Sequence, residues 1–225
     1  MKTTKLFLLL IFCLAAATGV FGQAKQISRK EYYQWYREAF KKRFEASRRE
    51  VIKKQYYKDG KLSGTIETVN EFLKPDRQRY LRVEKSGGQT TKLEIIQTGK
   101  AYYCRKNDED WTPSNKWCED GYGSGLSNIV NSGYTVEKTK IDNQEAQIYQ
   151  EYITYKNNYS PDKDKEALSY RQEKIWVDGD GFIVRHETES GLLEPRRIYS
   201  RETGTYEYNP KITIEAPVAA AKTTP

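Results

Sequence analysis

The stretch EVIKKQYYKDGKLSGTIETVNEF, residues 50–72, decides the fold class. Glu50 to Tyr57 has the period of a strand, Lys58-Asp59-Gly60-Lys61 reads as a tight turn, and Leu62 to Phe72 as the returning strand. An Asp-Gly pair supplies the positive φ angles that a short hairpin needs. The pattern then repeats. Lys74-Pro75-Asp76 interrupts it, Tyr80–Lys85 and Thr90–Gln97 flank Gly87-Gly88, and Thr98-Gly99-Lys100 leads to Ala101–Lys106. Tyr134–Ile141 and Ala146–Tyr155 flank Asp142-Asn143, and Ala167–Val177 and Phe182–Glu189 flank Asp178-Gly179-Asp180-Gly181. Arg197–Tyr208 and Ile212–Glu215 close the series. Short strands with recurring hairpin signals predict a mainly β (α+β) domain, an antiparallel sheet or barrel of about ten strands.

One helix precedes the strands. Ser28 followed by Glu31 forms a capping box. Tyr32, Tyr33, Trp35, Tyr36, Ala39, Phe40, Phe44 and Ala46 then fall in one half of a helical wheel, with charged and polar residues opposite. Arg43 is the exception, on the apolar side near an expected end at Arg48. Such a face covers a sheet more often than it lies on a membrane surface, so membrane contact is expected to be transient at most. The tyrosines want partners for their hydroxyls, which suits the mouth of a ligand cavity.

The first 22 residues read as a cleavable export signal. Lys2 and Lys5 give the positive start, Leu6 to Ala17 the apolar run, and Val20 and Gly22 the small residues before cleavage at Gln23. The run is shorter than the roughly 20 residues that span a bilayer. Residues 23–217 are then a single domain and 218–225 a flexible tail, rich in alanine and threonine. Removing Lys2 and Lys5 from 38 basic residues leaves 36 against 31 acidic, a balance of +5. No basic block interleaved with aromatics stands out, so nucleic acid is not an expected partner. Cys13 leaves with the signal, and Cys104 and Cys118 read as a disulfide in an oxidising compartment. A loop of roughly 15 residues contributes about 3 kcal/mol in the chain-entropy picture.

Nothing in the sequence assembles a catalytic or metal site, and no cofactor is expected. His186 is the only histidine. In Gly121-Tyr122-Gly123-Ser124-Gly125 the spacing of a nucleophile elbow fails. Asp178-Gly179-Asp180-Gly181 lacks the ligand spacing of a calcium loop and reads as a hairpin turn. Glu67 with Glu71, or Glu187 with Glu189, are the carboxylate pairs a hydrolase would use, but exposed strand faces normally carry such acids. Residues 107–133, with Trp111, Trp117 and Cys118, are long for a loop and read as functional, disordered or partly helical.

The late hairpin Lys174-Ile175-Trp176-Val177-Asp178 … Gly181-Phe182-Ile183-Val184-Arg185 resembles the LolA-type carriers and related bacterial lipid-binding proteins. The segments Glu71-Phe72-Leu73-Lys74-Pro75-Asp76-Arg77 and Tyr206-Glu207-Tyr208-Asn209-Pro210-Lys211-Ile212 fit the same resemblance. It implies an incomplete β-barrel, a helix over the open side and an apolar cavity for acyl chains. The disulfide-bearing insertion departs from that pattern, and no arginine matches the carriers' lid-closing one. The expected protein is an exported, bacterial, monomeric and non-catalytic carrier, periplasmic in the first instance, for lipid, lipidated protein or another apolar ligand. The candidate cavity residues are Tyr33, Tyr36, Phe40, Trp111, Trp117, Leu126 and Ile129, each with an alternative as ordinary core. The rival readings are a cell-envelope interaction module with a filled core and a secreted carboxylate-dependent hydrolase.

Overall fold

The structure is a computed structural model that describes residues 24–118, 129–156 and 168–217. The expected export signal, Leu126 and the tail from 218 lie outside the described residues. Helix α1 spans Arg29–Glu45, and the strands are β1 (Lys25–Gln26), β2 (Arg48–Lys58), β3 (Lys61–Leu73), β4 (Arg77–Ser86), β5 (Gln89–Thr98), β6 (Ala101–Lys106), β7 (Thr112–Ser114), β8 (Ile129–Ile141), β9 (Gln144–Lys156), β10 (Leu168–Asp178), β11 (Ile183–Leu192) and β12 (Arg197–Tyr208).

All of them join one antiparallel 12-stranded sheet in the order β1-β8-β9-β10-β11-β12-β2-β3-β4-β5-β6-β7. Two meanders, β2–β7 and β8–β12, meet where β12 pairs with β2, with Arg48 opposite Tyr208. Among the described residues the outer edges, β1 and β7, do not pair, so the sheet stays open. One open sheet bearing one helix fits the incomplete barrel expected from the sequence, with two short strands, β1 and β7, beyond the expected ten.

The turns form where the glycines, aspartates and asparagines stand. Asp59 and Gly60 take φ of 52° and 74°, and Asp142 and Asn143 take 49° and 66°, the left-handed angles of a tight hairpin. In the Asp178 turn the carboxylate accepts from the backbone amides of Asp180 (3.1 Å) and Phe182 (2.8 Å). Its role there is structural, as the turn reading expected.

Three segments differ from expectation. The helix ends at Glu45 with Ala46 as its C-cap, and Arg48 already opens β2. Ile212–Glu215 is not a strand but irregular chain with Ile214 buried, its carbonyl accepting from Arg77 Nη1 at 3.0 Å. Within 107–133, Thr112–Ser114 pairs with β6 and residues 129–133 begin β8. The Cys104–Cys118 disulfide ties β6 to the chain beyond β7 with 6.3 Å between Cα atoms. Such a bond persists in oxidising, exported compartments.

Side chains alternate faces along each strand. The cross-strand register puts Tyr134, Glu151, Glu173, Thr188, Glu202 and Lys54 in one row on one face, with Tyr149, Ile175 and His186 in the next. Helix α1 lies on this face. Ala39 closes a core with Ile175, Val177 and Ile183, flanked by Trp35, Tyr36, Tyr149 and Tyr206. Tyr32 is buried, 5.0 Å from the Tyr134 ring.

Candidate functional site

The capping box holds the start of α1: Glu31 N donates to Ser28 Oγ (3.2 Å) and Ser28 N to Glu31 Oε2 (2.7 Å). From there the aromatic stripe runs along the sheet. Trp35 stacks flat on Tyr149 of β9, centroids 3.6 Å apart and planes 6° apart. Beside this stack, at the β8–β9 and β10–β11 turns, lies a cavity of about 720 Å³. Trp35, Tyr149, Val177 and Ala146 give it apolar walls, and Lys138, Lys140, Glu145 and Gln147 a polar rim.

The space beneath α1 is more polar than an acyl cavity would be. Tyr33 donates to Glu151 at 3.0 Å. Glu151 stands directly across from Glu173, which accepts from Arg171 at 2.7 Å. Burial holds the Glu173 carboxyl above its ordinary range, against the pull of Arg171. Arg43, the sequence anomaly, sends Nε and Nη2 to the two oxygens of Glu50, each at 2.7 Å. Arg48 Nε adds a third bond at 2.5 Å and Asn70 a fourth at 3.2 Å. Burial alone would raise the Glu50 carboxyl, but the two arginines hold it below its ordinary value. The forked geometry explains why a charge sits on the apolar face of the helix.

His186 is buried and fully engaged. Nε2 meets Glu202 at 3.0 Å and Nδ1 meets the Tyr206 hydroxyl at 2.6 Å. A carboxylate only accepts, so in the neutral ring Nε2 carries the proton and Nδ1 accepts from Tyr206. A side chain at position 204 would collide with the imidazole, so Gly204 makes room for it. Burial pushes the Tyr206 hydroxyl well up, so it stays a neutral donor and not a nucleophile.

Three of the four carboxylates of the hydrolase reading, Glu71, Glu187 and Glu189, are matched to arginines. Glu71 lies 3.5 Å from Arg49 and 3.9 Å from Arg79, and Glu187 accepts from Arg185. Glu189 accepts from Tyr170, Arg196 and Arg201, and these bonds outweigh burial and lower its carboxyl. Among the described residues no three of His, Cys, Asp or Glu come together as a metal site.

The cavity candidates fall in three places. Tyr33, Tyr36 and Phe40 share one flank of α1, with Tyr36 and Phe40 stacked at 5.7 Å. Trp117 packs on Tyr80 (5.5 Å) and Tyr102 (6.3 Å), and Arg105 lies 4.7 Å over Trp111, both at the far edge of the sheet. Ile129 starts β8, 43% exposed. The 720 Å³ cavity is lined by other residues. Trp35 already stood in the amphipathic stripe. Tyr149, Lys138 and Lys140 needed the pairing of β8 with β9 to show which way they face.

No protein family's sequence profile matches the chain, and no curated protein matches it. Among solved structures, the fold is similar to that of the Mycobacterium tuberculosis lipoprotein LppX, at 13% identity and a TM-score of 0.46 over 84% of this chain and 100% of that one. It is likewise similar to LprF from Mycobacterium bovis, at 12% identity and a TM-score of 0.46 over 86% of this chain and 99% of that one.

Proposed function

We propose that this is an exported, non-catalytic binding protein or carrier for a lipid, an acylated protein or another apolar ligand. The observation that carries the reading is the 720 Å³ cavity beside the Trp35–Tyr149 stack, within the ~300–1,000 Å³ range of ligand sites. Its walls are aromatic and aliphatic, and each buried methylene of an acyl chain contributes about 0.8 kcal/mol. The chain enters between α1 and the β8–β9 and β10–β11 turns, and Lys138 and Lys140 meet its polar end at the rim.

The test is saturable binding of an environment-sensitive acyl probe, with native mass spectrometry of protein purified without detergent. Ala146→Trp, which fills the cavity, is expected to abolish the probe signal, and Phe44→Ser, on the exposed end of α1, to leave it intact. A probe signal unchanged by Ala146→Trp would remove this cavity from consideration.

A second reading, a cell-envelope interaction module, draws on Ile129 and Val130, adjacent residues 43% and 55% exposed at the start of β8. The neighbouring β1 pairs only with Thr135 and Val136 of that strand. Failure of every lipid and acylated peptide to bind would make this the leading reading.

A further inference from the structure

At the end of the sheet opposite the cavity, the β2–β3 hairpin and the β11–β12 turn enclose a second concavity of about 640 Å³. Tyr57, Asp59 and Gly60 line it from one side, and Arg196, Arg197 and Arg201 from the other. Each guanidinium is steadied by a neighbour. Arg201 donates from Nε to Glu189 at 3.0 Å and lies 5.8 Å over the Tyr57 ring. Arg196 donates to the same carboxylate at 3.3 Å and lies 5.3 Å over Tyr170. Arg197 reaches Asp59 at 3.4 Å.

Those bonds use one donor from each group, and a guanidinium carries five. The arginine side chains are 48–69% exposed, and exposed ion pairs are weak, so their carboxylates orient them without neutralising the site. The hairpin adds to the imbalance. Lys58 and Lys61 stand directly opposite each other next to Asp59 and Gly60, an arrangement that like-charge repulsion disfavours. Three arginines thus line the concavity, with Asp59 as its lining carboxylate and Glu189 bonded to two of them. Gly60, with φ of 74° and open space where a Cβ would stand, leaves the turn backbone approachable.

We propose that this concavity binds a phosphate-type oxyanion, either as free phosphate or as the phosphate of an anionic lipid headgroup. The planar fork of a guanidinium matches two oxygens of a phosphate, and three such forks around one concavity select that geometry over a single negative charge. The site is independent of the apolar cavity, at the other end of the strands.

The experiment is calorimetric titration of the folded chain with inorganic phosphate and pyrophosphate at low salt, alongside flotation with phosphatidylglycerol or phosphatidylcholine vesicles. The variant is Arg196→Gln/Arg197→Gln, and Lys30→Gln/Lys41→Gln on α1 removes the same charge elsewhere. Thermal melting confirms that both pairs fold. The expected result is saturable binding weakened about tenfold or more by the arginine pair and within about twofold of the parent for the lysine pair. Arginine-dependent binding of soluble phosphate alone assigns the site to free phosphate, and arginine-dependent flotation with phosphatidylglycerol alone assigns it to a headgroup. Absence of binding to every probe, or equal weakening by the two pairs, overturns the proposal.

Discussion

The two meanders are built from the same kind of hairpin but hold their charges differently. On β8–β12 the helix lies over the sheet, and the acids beneath it are answered at close range, Glu173 (15% exposed) by Arg171 (33%) and Glu202 (28%) by His186 (10%). On β3–β7, away from α1, the corresponding acid is Glu94, its side chain 3% exposed. It is held by Arg79 and Arg105, whose side chains are 46% and 28% exposed. At the seam, Glu50 is 2% exposed and its partners Arg48 and Arg43 are 5% and 19% exposed. The contrast teaches that covering a sheet with an aromatic helix does not require an apolar surface beneath it. It requires that every buried charge be answered within the same few ångströms.

The largest test of this contrast is Glu50→Gln, which leaves two enclosed arginines without their counter-charge. It is expected to cost about 3–5 kcal/mol, read as a drop of roughly 10 °C in melting temperature. Reducing the Cys104–Cys118 bond should cost about 3 kcal/mol by the chain-entropy estimate. The loss of amide-exchange protection should concentrate in β6 and β7 and spare β8–β12. Trp35→Ala, which removes the stack on Tyr149, should cost about 2–3 kcal/mol and abolish acyl-probe binding. Glu94→Gln is expected to cost only about 1 kcal/mol, because water reaches both of its arginines. A loss as large as that of Glu50→Gln would erase the distinction between the two regions.

The smallest effect carries a sign. The lowered carboxyls of Glu50 and Glu94 contribute stability that is present above the ordinary carboxylate value and lost as pH falls through their depressed ones. The raised Glu173 does the reverse: its contribution is present below the ordinary value and lost as pH rises through the elevated one. Glu173→Gln removes a buried charge that faces Glu151 and also deprives Arg171 of a partner. On balance it should raise the melting temperature by a degree or two at pH 8 and leave it unchanged near pH 4. A destabilised variant at pH 8 would show that the Arg171 bond outweighs burial.

Much of the fold was legible because turn chemistry is local. Asp59-Gly60, Asp142-Asn143 and Gly87-Gly88 mark hairpins whatever surrounds them, and Ala101–Lys106 and Arg197–Tyr208 match their strands end to end. The capping box fixed the start of α1 for the same reason. Its end was harder, because Arg48 belongs to β2 through a pairing with Tyr208 that lies far along the chain. Ile212–Glu215 has the pattern of a strand, yet no described strand lies beside it as a partner. The candidate site was less legible still. Aromatic residues advertise burial, but only the register of β8, β9 and β10 tells which of them share a face. For that reason Arg43, out of place on a helical wheel, made sense only beside Glu50.

The strand order sets β12 beside β2, with Arg48 opposite Tyr208, and sends β7, from the middle of the sequence, to one outer edge and β1 to the other. The link between β7 and β8 joins strands that are not neighbours, so no ladder among the described strands depends on its continuity. A circular permutant opened within residues 119–128 and closed from 217 to 24 would keep every strand pairing. It would also bring the β12–β2 contact closer in sequence. Such a chain has a lower contact order and should fold faster than the native one, which makes the native connectivity a matter of history more than of architecture.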